Sequence, residues 1–296
     1  MTGFGAGNGA GFEDVYWWSG DGLRLHARDY PGHADRPAII CMPGLTRNAR
    51  DFATLAEHLS PDWRVLAVEF RGRGESAYAK DPMSYVPLTY AQDMAGLIEA
   101  AGVDRFVVVG TSLGGIVAML LAGMMPGRIA GAVLNDIGPD IESAGLARVR
   151  GYVGKSSNHP TWMHAARALQ ESSGGVYPDW AIEDWLAMAK RVYRLSSAGR
   201  IVLDYDARIA EPFRLPGNEA GPDMWRAFSA LRDVPVLVVR GERSDMLSGQ
   251  TAERMIAALP RAVLATIPRV GHVPTLAEPE ARVAIDELLA SVAEPG

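Results

Sequence analysis

The sequence of 296 residues carries a formal net charge of −6, with 48% hydrophobic and 22% charged residues, a balance that lets a chain of this length bury a sizeable core unaided. The acidic excess leaves no global cationic field to hold a phosphate backbone or an anionic membrane surface, so neither nucleic acid nor membrane is an expected partner. One cysteine, Cys41, excludes an internal disulfide framework and cannot alone make a structural zinc site.

Length alone suggests two domains of about 150 residues. Residues 1–11, MTGFGAGNGAG, read as a flexible tail, because glycine and small side chains cannot repay the entropy of ordering. Neither a basic n-region nor an apolar h-region opens the sequence, so no secretory signal is expected. The apolar stretch from Ile116 to Met125 is broken by Gly123 and falls short of the ~18 residues of a membrane span. A cytoplasmic protein is the expectation.

Glu13 to Tyr30 gives two β-type segments around Ser19-Gly20-Asp21-Gly22, a hairpin signal. PAIICMPG follows as a strand buried on both faces, Arg50 to Leu59 as a helix, and WRVLAVEF as a second buried strand. Leu88 to Ala101 has helical spacing closed by Gly102; then come RFVVVG as strand, SLGGIVAMLLAGMM as helix and IAGAVLND as strand. This alternation is the pattern of a parallel sheet covered by helices on both faces. It stops near Asp136. Residues 137–222 hold helical patterns at Met163 to Gln170 and Asp179 to Val192 but no convincing strand. After a helix at Trp225 to Leu231 the alternation resumes through VPVLVVRG, Gln250 to Leu259, AVLATIP and Glu278 to Val292. The two-domain prior therefore becomes a tail (1–11), a core (12–136 and 223–296) and an insertion (137–222).

The sharpest motif is Gly110-Thr111-Ser112-Leu113-Gly114, a G-x-S-x-G between an apolar strand and a helix, the context in which a serine is thrust out of a strained turn as a nucleophile. A glycine-rich turn without chemistry is the competing reading. A serine hydroxyl needs a base that is itself oriented by an acid. Asp245, after the strand ending Arg240-Gly241, supplies an acid, and His272, after the next strand and behind Gly271, supplies a base. The order Ser, acid, His is the one this motif calls for.

These residues and their order resemble the α/β-hydrolase family over roughly residues 13–292, in its serine carboxylesterase and lactonase-like branch with a helical cap. The resemblance implies a mostly parallel central sheet with an N-terminal antiparallel hairpin, helices on both faces, and a helical cap inserted after the sixth strand over residues 137–222. It also implies an oxyanion hole from two backbone N–H groups, those of Leu45 and Leu113. Met42-Pro43-Gly44-Leu45 has proline where the family usually has histidine. Glu69-Phe70-Arg71-Gly72-Arg73-Gly74-Glu75-Ser76 is similar to the family's D-x-R-G-x-G-x-S stretch, with Arg71 and Ser76 expected to brace the oxyanion loop. Read as a dinucleotide fingerprint the same letters fail, because Tyr78 to Val86 has no helical pattern. Some family members take the acid from the earlier strand end, which makes Asp136 the alternative to Asp245; the local Gly-x-x-Ser-Asp favours Asp245, and Glu242 is a third candidate.

Met42, Trp162, Trp185, Met188, Met246 and Val273 are the candidate pocket walls, although aromatic residues of the insertion also suit its own small core. His159 and His164 are five apart, a poor spacing for ligands on one helix face, so no metal is expected, and no cofactor is implied because nucleophile, base and electrostatic stabiliser are all protein groups. Arginines 148, 150, 167 and 191 of the insertion read as solvated surface. The expected activity is cleavage of a small to medium hydrophobic ester or lactone through an acyl-enzyme. The alternatives are hydrolysis of a carbon–carbon bond in ring-cleavage products, a peptidase or thioesterase, or a non-catalytic receptor for a small molecule. A homodimer is left open.

Overall fold

The computed structural model describes residues 11–214 and 223–293; the expected tail up to residue 10 and the end of the expected insertion lie outside the described residues. The chain opens with β1 (Glu13–Trp18), β2 (Arg24–Tyr30), β3 (Ala38–Met42), α1 (Ala53–Leu59), β4 (Val65–Glu69) and α2 (Pro87–Ala100). It continues through β5 (Phe106–Thr111), α3 (Leu113–Met124) and β6 (Ile129–Asn135). The long connection that follows holds α4 (Ser143–Tyr152), β7 (Asn158–His159), α5 (Trp162–Ser173), α6 (Ile182–Val192), β8 (Tyr193–Leu195), β9 (Ile201–Leu203) and α7 (Met224–Ser229). The last part is β10 (Val236–Gly241), α8 (Gly249–Ala258), β11 (Ala262–Ile267) and α9 (Pro279–Ala293).

Eight strands form one sheet in the order β1-β2-β4-β3-β5-β6-β10-β11. β2 is antiparallel to β1 and to β4, and the remaining neighbours are parallel. Period-two alternation divides the interior. Ile40 and Met42 of β3 and Val108 of β5 join one apolar cluster with Met94, Leu97 and Val117 of α2 and α3. Their neighbours Ile39, Cys41, Val107 and Val109 join the other, with Leu55 of α1 and Ile285 and Leu289 of α9. Burial on both faces is why these strands read as continuous apolar runs. Among the described residues no helix is long and apolar enough to cross a membrane.

The connection between β6 and β10 differs from the expectation in one respect. It contains a three-stranded antiparallel sheet, β7-β9-β8, where only helices were expected. Strands of two or three residues are too short to show alternation, and a turn with Gly199 at φ +71 joins β8 to β9. Trp185 and Met188 of α6, Tyr193 of β8 and Tyr177 from the turn between α5 and α6 form a third apolar cluster.

Candidate active site

Parallel strands β3, β5, β6 and β10 point their carboxyl ends the same way, so the turns after them converge, and this is where ligands bind in open α/β sheets. Ser112 follows β5 at φ 51, ψ −112, a left-handed conformation that a side chain other than glycine adopts only under strain. Close packing holds it there. A Cβ on Gly110 would lie 2.5 Å from the Gly114 carbonyl carbon, and one on Gly114 would run into the Met42 carbonyl oxygen. The glycines of the motif are thus contact points between β5, α3 and β3, and no larger residue fits either of them.

His272 lies in the turn after β11, with Nε2 3.1 Å from Ser112 Oγ and Nδ1 2.8 Å from Asp136 Oδ2. The structure thereby corrects the expected acid. Asp245 does not meet the imidazole. Its carboxylate makes a fork with Arg148 of α4, at 2.6 and 2.8 Å, and this hydrogen bonding holds its pKa below the ordinary carboxylate value. Arg148, read as solvated surface, is therefore an ion-pair partner. Asp136 is fully buried, at φ 56, a conformation aspartate tolerates better than most residues. It accepts Gly241 N–H at 2.8 Å on Oδ1 and the Ser244 hydroxyl at 2.6 Å on Oδ2. Ser244 Oγ in turn accepts Met246 and Leu247 N–H, which leaves its proton for Asp136. The Gly-x-x-Ser stretch expected to carry the acid instead carries two donors to it.

An acid that accepts three hydrogen bonds keeps the proton on His272 Nδ1 and leaves the Nε2 lone pair facing Ser112. Asn135 ties the two halves of this arrangement, donating from Nδ2 to Thr111 Oγ1 at 3.2 Å and to Pro274 O at 2.9 Å. The loop after β3 runs beside the serine, since a Cβ on Gly44 would lie 3.9 Å from Ser112 Cβ. Among the described residues the N–H groups of Leu45 and Leu113 find no protein acceptor. Leu113 N–H belongs to the first turn of α3, where free N–H groups and the helix dipole favour negative charge.

The candidate pocket residues separate. Met42 lies in the sheet's core, and Trp185 is 1% exposed within the insertion's own cluster, stacked edge-on to Tyr177 and Trp180 at 5.9 and 4.9 Å. Trp162 is half-buried against the same cluster. These three belong to packing. Met188 receives Arg47 Nη2 on its sulfur at 2.8 Å, Val273 accepts the Tyr177 hydroxyl at 2.6 Å, and Met246 packs where a Cβ on Gly145 of α4 would strike. They sit where the insertion meets the turns that hold Leu45, His272 and Asp245. Neither Arg47 nor Tyr177 was distinguishable in the sequence as a contact of this region. Arg71, expected to brace the oxyanion loop, instead pairs with Asp93 at 2.7 Å and Asp21 at 2.9 Å, and Ser76 bonds Glu69 O and His26 N. His159 and His164 bond Ser157 and Thr161. Among the described residues no three His, Cys, Asp or Glu side chains are placed to hold a metal.

A serine, an imidazole and a buried carboxylate in one hydrogen-bonded line, at the carboxyl edge of a mostly parallel sheet, define a hydrolase architecture. The model of the alpha/beta hydrolase family matches residues 39–287, and the chain belongs to that family. It is similar to the 3-hydroxybutyrate-oligomer hydrolase of Cupriavidus necator, 33% identical over 88% of this chain and 91% of that one. It is also similar to the 2-(acetamidomethylene)succinate hydrolase of Mesorhizobium japonicum, 28% identical over 82% and 84%. Among solved structures, an alpha/beta hydrolase from Novosphingobium aromaticivorans is 58% identical, with TM-score 0.91, covering 96% of this chain and 99% of that one.

Proposed function

We propose that the protein is a serine hydrolase of carboxylic esters, acting through Ser112, His272 and Asp136. The observation that carries this reading is the line from Ser112 Oγ through His272 to Asp136, at 3.1 and 2.8 Å, beginning at a serine held in a left-handed turn. Ser112 attacks the ester carbonyl as its proton passes to His272 Nε2, and the N–H groups of Leu45 and Leu113 receive the oxyanion. His272 returns the proton to the departing alcohol. It then activates water, which releases the acid and restores Ser112. The similarity to a hydrolase of 3-hydroxybutyrate oligomers, molecules of a hydroxy acid joined through ester bonds, supports a short hydroxy-acid ester as substrate.

The test is a panel of p-nitrophenyl esters of graded length together with 3-hydroxybutyrate dimers, lactones and a dienone ring-cleavage product, with Ser112→Ala as control. Ester turnover should fall by about 10⁴-fold or more in the variant. Ester hydrolysis within about tenfold of the parent protein after loss of the nucleophile would refute the mechanism. Turnover of the ring-cleavage product in place of every ester would replace the ester reading with carbon–carbon hydrolysis.

A further inference from the structure

Arg73 follows β4 in the Arg71-Gly72-Arg73-Gly74 loop and is fully buried. Unlike Arg71, whose guanidinium meets two carboxylates, it has neutral acceptors only: Leu45 O at 2.9 Å from Nε, and Arg71 O and Tyr90 Oη at 2.7 and 2.9 Å from Nη1. Its Nη2 has no hydrogen-bond partner. The rings of Tyr90 and Tyr85 lie 4.9 and 5.6 Å from its central carbon. A buried cation without a counter-ion is costly, so its position calls for a reason.

The contact with Leu45 supplies one. The peptide unit between Gly44 and Leu45 carries the N–H that the proposed mechanism assigns to the oxyanion, and Arg47 N–H bonds its carbonyl end, Gly44 O, at 3.1 Å. The next peptide unit is held by Arg73 through Leu45 O. Two successive peptide planes are thus clamped, one by the turn itself and one from outside it. The outer clamp is firmly mounted, because Gly74 N–H bonds Asp204 O at 3.1 Å, Asp206 N–H bonds Gly72 O at 2.8 Å, and Arg73 pairs with Tyr205 across an isolated bridge.

We propose that Arg73 is the positioning residue of the oxyanion site: its guanidinium clamps the Leu45 carbonyl so that Leu45 N–H stays aimed at the oxygen on which charge develops. The inference rests on the serine-hydrolase reading. Rigid aim matters most when charge appears, so loss of the clamp weakens the transition state more than the bound ester.

The test compares Arg73→Met, Arg73→Lys and Tyr90→Phe with the parent protein for kcat and KM on a p-nitrophenyl ester, inhibition by an alkyl boronic acid that mimics the tetrahedral adduct, thermal midpoint, and labelling by a fluorophosphonate. In Arg73→Met, kcat should fall about 10- to 100-fold, with KM within about twofold and boronate affinity falling in step with kcat. Arg73→Lys should recover part of the loss, and Tyr90→Phe, which removes one acceptor that aims the guanidinium, should lower kcat about threefold. A lower thermal midpoint with unchanged kcat and boronate affinity would mean that Arg73 only packs, and would overturn the inference. If Arg73→Met does not fold, the parent values of kcat and boronate affinity in both other variants overturn it equally. Absence of label on Ser112 in the parent protein removes the nucleophile reading, and this inference with it; label on Ser112 with kcat unaffected in the variants removes the inference alone.

Discussion

Replacing Asp136 by asparagine changes one oxygen to an NH₂ and almost nothing in volume, so its effect isolates the charge and the proton pattern. The asparagine oxygen can keep the Gly241 N–H bond, but the amide nitrogen then faces His272 Nδ1 and the Ser244 hydroxyl, which now meet a donor. The imidazole responds by taking the other tautomer, with its proton on Nε2 toward Ser112, where it cannot accept the serine proton. Flipping the amide sets its NH₂ against Gly241 N–H instead. The imidazolium formed during attack also loses a counter-charge at 2.8 Å, worth at most about 6 kcal/mol at an effective dielectric near 20. That ceiling agrees with the roughly 10⁴-fold loss that follows when a triad acid becomes its amide. In Asp136→Asn, kcat/KM on a p-nitrophenyl ester should therefore fall about 10³- to 10⁴-fold, while Asp245→Asn should stay within about tenfold of the parent protein because its carboxylate meets Arg148 and not the imidazole. Both are measured at pH 8 beside circular dichroism spectra. An Asp136→Asn protein within about tenfold of the parent, or a larger loss at Asp245, would refute the assignment of the acid.

Two further outcomes follow from packing and charge. Gly114→Ala drives a methyl into the Met42 carbonyl, a backbone atom that cannot swing aside; stability to urea should drop by about 3 kcal/mol or more, and an unchanged midpoint would contradict the close approach. For the Arg148 to Asp245 pair, a carboxyl pKa depressed in the folded state adds stability above the unfolded pKa and loses it as pH falls through the folded one. The thermal midpoint of Asp245→Asn should accordingly lie below that of the parent protein at pH 7, with the gap closing as the pH falls below the ordinary carboxylate range; a gap that widens in acid has the wrong sign for this ion pair.

Much of the fold was legible because the physics that selects it is local. VVVG and VLVV runs mark strands covered on both faces, and Gly-x-Ser-x-Gly marks a turn too crowded for a larger residue at Gly110 or Gly114. The pairing of Ser112 with His272 follows from strand order, since both residues trail parallel strands. The acid did not follow. Asp136 and Asp245 each come after a strand, β6 and β10 are hydrogen-bonded neighbours, and the Gly-x-x-Ser-Asp pattern favoured Asp245, the wrong one of the two adjacent strand ends. What separates them is a positive φ at Asp136 and the inward turn of Ser244, neither of which composition or periodicity records. The small sheet β7-β9-β8 escaped for a different reason, because two- and three-residue strands take their definition from partners far along the chain. Arg71 and Arg73 sit in one Arg-Gly-Arg-Gly string, and only the folded loop shows which reaches Leu45 and which reaches Asp93.

The side-by-side placement of β6 and β10 carries a consequence for comparing members of this family. One imidazole stands within reach of two neighbouring strand ends, and at each end a short polar side chain, Asp136 or Ser244, already points at the same spot. His272 Nδ1 and the Ser244 hydroxyl meet on the same oxygen, Asp136 Oδ2, so a side chain from the β10 end already reaches the place where the carboxylate stands. A strand-end aspartate in a linear sequence of this fold therefore does not by itself name the acid; the side chain that meets Nδ1 does.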